Sequence, residues 1–209
     1  MSGHVSGKLI SDPLLNESTR RRLTERQADT VRRLTDAAVE ELREAGYEGL
    51  TVRNVARRAG VAAATAYTYF ASKNHLITEV FWRRLSALPP VSPSPEPPAD
   101  RVVAVLREIA LLVSDEPALA AACTTAMLGT DPDVQELRLR IGVAIRHRLR
   151  DALGTDSDPK LLAGLEMIYA GALVQAGMGY TSYTAIADRL SEVARLVLSG
   201  ATRRPPAQR

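Results

Sequence analysis

Cysteine is nearly absent from the sequence, since Cys123 is the only one in 209 residues. A single cysteine excludes an internal disulfide framework and a cysteine-rich zinc site. The three histidines, His4, His75 and His147, lie far apart, and no two have the spacing of metal ligands on one helix. We therefore expect no metal and no other cofactor.

Long apolar runs and catalytic motifs are also missing. No uninterrupted stretch reaches the roughly 18 apolar residues of a membrane-spanning helix, and the first 23 residues do not resemble a secretory signal. There is no phosphate-cradling glycine loop and no nucleophile elbow, and Glu166 is a lone carboxylate in an apolar segment. These absences predict a cytoplasmic protein that has no membrane partner and no enzymatic activity, although a helical enzyme remains an alternative.

The net positive charge comes from the first part of the chain. Residues 1–88 contain 14 basic and 10 acidic residues, a balance of +4, whereas residues 89–209 contain 13 and 14, a balance of −1. The basic residues concentrate between Arg20 and Arg33. Arginine-rich faces are usually only solvated. The excess of basic residues is therefore informative only because it is concentrated in this one segment.

Apolar residues recur at helical spacing along most of the chain, and no alternating strand pattern of any length occurs. Thr24 and Gln27 have the spacing of a capping box, and Gly46 is a left-handed stop after the first apolar face. Thr51 and Ser72 have the character of N-caps for later helices. The sequence therefore predicts an all-α fold.

Six prolines among residues 89–98 predict a stiff spacer and a domain boundary. Five helices are expected beyond it, over residues 100–114, 117–128, 132–153, 159–179 and 183–198. The predicted organisation is a basic arm (1–23), an N-terminal helical domain (24–88), a linker (89–99), a larger helical domain (100–200) and a tail (201–209). It contains about nine helices.

Residues 51–70, TVRNVARRAGVAAATAYTYF, predict two short helices joined by a tight turn at Gly60 and Val61. The second helix, about residues 63–70, is too short to be stable alone, so we expect its exposed face to bind a partner. Hydroxyls and cations suit phosphate oxygens, and a short helix fits a major groove. The alternative is a plain helical hairpin with core aromatics. The polar DNA-binding candidates are Thr51, Arg53, Thr65, Tyr67, Thr68, Tyr69 and Lys73.

A set of residues between positions 46 and 76 follows a known family pattern. The residues are Gly46, Tyr47, Thr51, Val52, Val55, Ala56, Ala59, Gly60, Val61, Thr65, Tyr67, Tyr69, Phe70, Ser72, Lys73 and Leu76. They resemble the N-terminal domain of TetR-type bacterial transcriptional regulators over about residues 28–88. The resemblance implies that residues 24–88 form a three-helix helix-turn-helix DNA-binding domain and residues 100–200 a larger helical ligand-binding and dimerisation domain. It also implies a homodimer on a palindromic operator in double-stranded DNA, and repression relieved by a small-molecule effector.

The resemblance also implies individual roles. It implies phosphate contacts from Thr51, Tyr67, Tyr69 and Lys73, and base-side exposure for Ala63, Ala64 and Thr68. The family usually has a capping serine at position 62, where this chain has Ala62. Alanines offer only methyl groups, which suit thymine methyls, so direct base readout should be sparse.

An arginine arm precedes the first predicted helix. Arg20, Arg21 and Arg22 are expected to enter the neighbouring minor groove and to add affinity that the alanine-rich helix does not supply. The alternative is a solvated arm that makes no contact.

The last two predicted helices have the features of a symmetric four-helix interface. Glycines inside a helix are tolerated where another backbone approaches closely. The alternative is packing within one chain. The candidate dimer residues are Gly164, Gly171, Ala172, Gly179, Leu190, Val193 and Val197.

A pocket for an apolar or weakly polar effector is expected between the helices of the second part. Each candidate also has an ordinary interpretation as a core residue, and a constitutive regulator without ligand control remains an alternative. The candidate pocket residues are Leu106, Ile109, Thr124, Met127, Ile141, Ile145, Tyr169 and Gln175, with Thr125, Met167 and Met178 as further candidates.

Overall fold

The computed structural model describes residues 25–154 and 158–202, and these ranges contain helices and connecting turns but no strand. The all-α expectation is confirmed. The helices are α1 (Glu25–Gly49), α2 (Val52–Arg58), α3 (Ala63–Tyr69), α4 (Lys73–Ser86), α5 (Pro98–Ala110), α6 (Pro117–Met127), α7 (Pro132–Leu153), α8 (Pro159–Gly177) and α9 (Tyr183–Thr202).

Local signals set the helix starts. Pro117, Pro132 and Pro159 each occupy the first helical turn, where the missing N–H removes no intrahelical bond. Ser72 accepts a hydrogen bond from the backbone N–H of His75 at 3.1 Å and caps α4, as its sequence position predicted. The predicted α7 matches the observed helix at both ends.

Several predicted helix boundaries differ from the structure; α5 also ends four residues earlier than expected, and α9 four residues later. Gly46 does leave the helical region (φ 66°), yet one further turn carries α1 to Gly49. Helix α5 begins at Pro98, inside the predicted spacer, because proline is compatible with a first helical turn. Helix α8 ends at Gly177, two residues earlier than expected. The predicted cap Thr24 lies outside the described residues.

The helices share one continuous hydrophobic core. Helix α1 packs against α2, α4 and α6, and α4 in turn packs against α6 and α7. Helix α5 lies against α7 and α9, and α8 packs on α9. Buried residues from every helix from α1 to α9 belong to the same cluster, so α1 to α4 pack directly on the larger helical part. The domain boundary at the proline-rich segment stays a prediction.

Candidate nucleic-acid interface and effector cavity

The turn between α2 and α3 has the geometry that the sequence predicts. The Thr51 side chain accepts a hydrogen bond from the backbone N–H of Asn54 at 3.1 Å and caps α2. Gly60 has a φ of 63°, and the Val61 N–H donates to the Ala56 carbonyl at 2.9 Å. A side chain at position 60 would be strained by that φ and would meet the Arg33 guanidinium at 3.2 Å.

Helix α3 presents one face outward and anchors the other. Ala66 and Phe70, one turn apart, are completely buried. The opposite face exposes Tyr67, whose side chain is 46% accessible, together with three small residues. The exposed small residues are Ala64, Thr65 and Thr68, while Ala63 and Tyr69 are half-buried against the core.

The end of α3 is locked to the start of α4. Phe70 meets His75 edge to face, with ring centroids 5.5 Å apart. The buried His75 accepts a hydrogen bond from the Ala71 N–H through Nδ1 at 3.3 Å. These contacts hold the outward face of α3 in a fixed orientation relative to the core.

The N-terminus of α3 lacks a side-chain cap. Ala62 has an extended backbone at the N-cap position and cannot accept from the orphan N–H groups of the first turn. We expect Ala62→Ser to raise the free energy of unfolding by about 1 kcal/mol, measured by urea denaturation. Ala64→Ser, the same change inside the helix, should give no gain. An unchanged unfolding midpoint for Ala62→Ser would contradict the assignment of this cap position.

The arginines near α3 differ in their contacts: some are exposed, and Arg58 forms ion pairs with carboxylates of α1. Arg53 is exposed, as the prediction of a DNA contact requires. Arg58 instead donates to the carboxylates of Glu44 and Glu41, each at 2.9 Å. These two hydrogen bonds raise the pKa of the Arg58 guanidinium above its ordinary value. Arg58 therefore fastens α2 to α1.

The Lys73 ammonium contacts another part of the protein, which the sequence did not indicate. Its ammonium donates to the Tyr47 carbonyl at 2.9 Å and lies 4.1 Å from the centre of the Tyr47 ring. An ammonium has three N–H donors, so this contact leaves others for a phosphate. The DNA-contact roles of Thr51, Arg53, Lys73 and the α3 residues stay predictions. The arm residues Arg20, Arg21 and Arg22 lie outside the described residues.

A cavity of about 560 Å³ lies between α5, α6, α7 and α8. This volume is within the range of small-molecule sites, about 300–1,000 Å³. Six predicted pocket residues line it: Ile109, Thr124, Met127, Ile141, Ile145 and Tyr169.

Several pocket candidates are wrong. Leu106 is completely buried one turn before Ile109 and does not border the cavity, because only the last turn of α5 and the residues after it reach the cavity. Gln175 is exposed on α8, on the side opposite the lining residues of that helix. Thr125, Met167 and Met178 are also exposed and absent from the lining.

Lining residues from several helices, α4 and α8 among them, were not predicted. On α7, the exposed Leu139 and Val143 line the open side one turn apart. They lie on a different face from Ile141 and Ile145, so the periodicity of that face gave no signal for them. Tyr183 reaches the cavity from the first residue of α9, and no local pattern indicates this contact.

A hydrogen bond connects the α6–α7 turn to the N-terminus of α4. The Ser72 hydroxyl, which caps α4, donates to the Asp131 carboxylate at 3.0 Å. Arg138 donates to the Met127 carbonyl at 2.7 Å, so the turn is also tied to α7. Met127 and Arg138 both line the cavity. A single hydrogen bond, Ser72–Asp131, therefore links the turn beside the cavity wall to the N-terminus of α4.

Several apolar side chains are exposed on α8 and α9, among the charged residues of α9. Met167 and Leu196 are 76% and 71% accessible, and Val193 is also exposed. A Cβ added at Gly164, Gly171 or Gly179 would meet nothing within 4 Å, so these positions leave room for another backbone. Ala172 and Val197 are half-buried. The interface as a whole stays a prediction.

Leu190 is wrong as a dimer contact. Only 2% of it is accessible, because it lies on the inner face of α9 and belongs to the core.

Two kinds of feature are absent from residues 25–154 and 158–202. No helix there is long and apolar enough to cross a bilayer. Within the same ranges, no group of three or more His, Cys, Asp or Glu side chains is placed to hold a metal ion.

Comparisons with known proteins agree with this arrangement. The sequence model described as "Bacterial regulatory proteins, tetR family" matches residues 34–80. An uncharacterised HTH-type transcriptional regulator of Mycobacterium tuberculosis is 51% identical over 178 residues, covering 84% of each chain. The repressor KstR of Rhodococcus jostii is 28% identical over 186 residues, covering 86% of this chain and 87% of that protein.

Solved structures show the same fold. A TetR transcriptional regulator from Rhodococcus sp. RHA1 superposes with a TM-score of 0.69 at 26% identity, covering 84% of this chain and 98% of that one. FadR of Thermus thermophilus, a transcriptional repressor solved with lauroyl-CoA, gives a TM-score of 0.57 at 21% identity, covering 86% and 99%. The chain therefore belongs to the TetR family and is a DNA-binding transcriptional regulator rather than an enzyme.

Proposed function

We propose that this regulator is a repressor that binds a palindromic operator as a homodimer and is released by a small apolar effector. The observation that carries the proposal is the orientation of α3. Ala66 and Phe70 anchor it, and its hydroxyl-bearing face, with Tyr67 and Thr68, points outward. Hydroxyls at the edge of a short exposed helix are suited to phosphate oxygens beside a major groove.

Apolar side chains exposed on α8 and α9 support the proposed dimer. Exposed Met167, Val193 and Leu196 lie beside helical glycines that admit a close second backbone. A second copy that buries this surface makes a two-fold assembly with two α3 helices. Two such helices read half-sites about 34–36 Å apart, one turn of DNA.

Effector control is favoured over constitutive binding by the cavity. The cavity opens to the surface, and its volume of about 560 Å³ is large enough to hold a small molecule. The cavity borders the turn that holds the Ser72–Asp131 hydrogen bond, so an occupant can change the position of α4 and of α3 before it. The repressors KstR and FadR have related chains, and FadR was solved with an acyl-CoA.

Selection from randomised DNA duplexes with the purified full-length chain tests the DNA-binding part. We expect enrichment of an inverted repeat whose half-sites are one helical turn apart. The Tyr67→Ala variant, selected in parallel, should give no enrichment. An enriched pool without dyad symmetry, or no enrichment above non-specific binding, would contradict the proposal.

The arginine arm is tested by salt dependence. Changing Arg20, Arg21 and Arg22 together to alanine should flatten the slope of log K against log salt by about 0.9 for each phosphate that a subunit no longer neutralises. Arg203→Ala with Arg204→Ala, in the C-terminal tail, is the matched control and should leave the slope unchanged. If the triple variant retains the wild-type slope, the arm does not bind phosphate.

A further inference from the structure

Three hydroxyl-bearing residues of the cavity lining are neighbours, and we call Thr124, Tyr169 and Tyr183 the hydroxyl cluster. The Tyr183 hydroxyl donates to the Ala120 carbonyl at 2.9 Å. Thr124 Oγ1 lies 3.5 Å from the Tyr183 oxygen. Thr124 also packs directly against Gly177 of α8, where any added Cβ would lie 2.1 Å from its hydroxyl. Two members of the cluster therefore have protein partners and fixed positions.

Tyr169 differs from the other two. It lines the cavity and is only 6% accessible, yet its hydroxyl has no hydrogen-bond partner among the described residues. Burial raises the pKa of this hydroxyl well above its ordinary value, and the neighbouring Tyr183 and Cys123 raise it further. The group is therefore a neutral donor. A buried donor without an acceptor is unfavourable, and a ligand acceptor would remove that cost.

Charged groups lie only on the open side of the cavity, within the described part of the chain. Arg146 pairs with Glu166 at 2.7 Å, and Arg138 donates to the Met127 carbonyl at 2.7 Å. The rest of the lining is mainly hydrocarbon, with aliphatic residues from α5, α7 and α8. An ionised group placed at the hydroxyl cluster would be desolvated without a counter-charge.

We propose that the effector is an uncharged, largely hydrocarbon molecule with one hydrogen-bond acceptor, such as a ketone or ester carbonyl, which accepts from Tyr169 at the hydroxyl cluster. This inference rests on the proposed effector role of the cavity. It assigns Tyr169 as the residue that distinguishes a neutral ligand with an acceptor from a plain hydrocarbon. It also places the ionised amphiphiles, such as free fatty acids, among the weaker ligands.

The test is calorimetric titration of the full-length protein, without DNA, with 2-decanone, decanoate and decane. We expect 2-decanone to bind at least about ten times more tightly than decanoate. Tyr169→Phe should weaken 2-decanone binding about tenfold and leave decane binding unchanged. The same variant should melt at the wild-type temperature or above it, because it loses an unsatisfied buried hydroxyl and keeps the ring. A purely structural role would instead lower the melting temperature.

Tyr180→Phe, at an exposed position outside the cavity lining, is the matched control and should bind all three probes as the wild type does. Equal 2-decanone affinities for wild type and Tyr169→Phe, tighter binding of decanoate, or no binding of any probe would each overturn the inference. Because these titrations contain no DNA, they are independent of the operator selection. Failure of that selection with successful titrations would remove the repressor function and leave the ligand site.

Discussion

Replacing Tyr67 by phenylalanine is expected to weaken operator binding about a hundredfold while leaving the fold intact. The variant keeps the aromatic ring and loses only the hydroxyl, which lies on the exposed face of α3. A hydrogen bond to a charged group contributes about 1.5–3 kcal/mol, and a dimer would lose two of them. A total of about 3 kcal/mol corresponds to roughly two orders of magnitude in Kd. Fluorescence anisotropy with a selected duplex measures this directly.

Tyr180 supplies the control for this substitution. It is 78% accessible and lies in the turn between α8 and α9, remote in sequence from α3. Tyr180→Phe makes the identical chemical change and should keep the wild-type Kd. If Tyr67→Phe binds the duplex as tightly as Tyr180→Phe does, the Tyr67 hydroxyl does not contact DNA.

Phe70→Ala is expected to give the largest loss of stability. Phe70 is completely buried, packs against His75 and terminates α3. Removing a buried phenylalanine ring costs about 3–5 kcal/mol, because the protein loses both apolar burial and close packing. Chemical denaturation of the purified chain should show this decrease in the free energy of unfolding. Operator binding should fall as well, because the ring that orients α3 against the core is gone.

Phe70→Leu is the matched control, because it removes the aromatic ring but keeps an apolar side chain in the core. Leucine preserves much of the apolar volume, so the expected loss of stability is clearly smaller than for alanine. Denaturation curves for Phe70→Ala that coincide with those of the wild type would show that Phe70 does not hold α3 to the core.

The helical layout could be predicted because its signals are local. A proline at the first helical turn defines the starts of α6, α7 and α8, and the capping hydroxyls of Thr51 and Ser72 define those of α2 and α4. The α2–α3 turn follows from Gly60, whose positive φ only glycine adopts easily. Each of these effects acts over four residues or fewer.

The parts of the site that could not be predicted depend on long-range contacts. The Ser72–Asp131 hydrogen bond joins residues 59 apart, and the Tyr183 hydroxyl reaches a carbonyl 63 residues away. Sequence spacing contains no information about either contact. Leu190 shows a related limit, since helical periodicity identifies an apolar face but does not say whether it meets its own core or a second chain.

The cavity was predicted in part for the same reason. Apolar residues such as Ile141 and Ile145 share one face of α7, so they line the cavity together. Leu106 has the same character, but the helices close over it one turn before the cavity begins. Whether a residue borders a cavity or a neighbouring helix depends on how far apart the helices lie, and helix spacing is a property of the assembled core.

We propose that the exposed face of α3 enters the major groove of DNA. Dimethyl sulfate methylation of a selected duplex tests this placement, because the reagent attacks guanine N7, which lies in that groove. We expect the bound protein to protect guanines in both half-sites and Tyr67→Ala to abolish the protection. Unchanged methylation at duplex saturation, with the protein demonstrably bound, would contradict it.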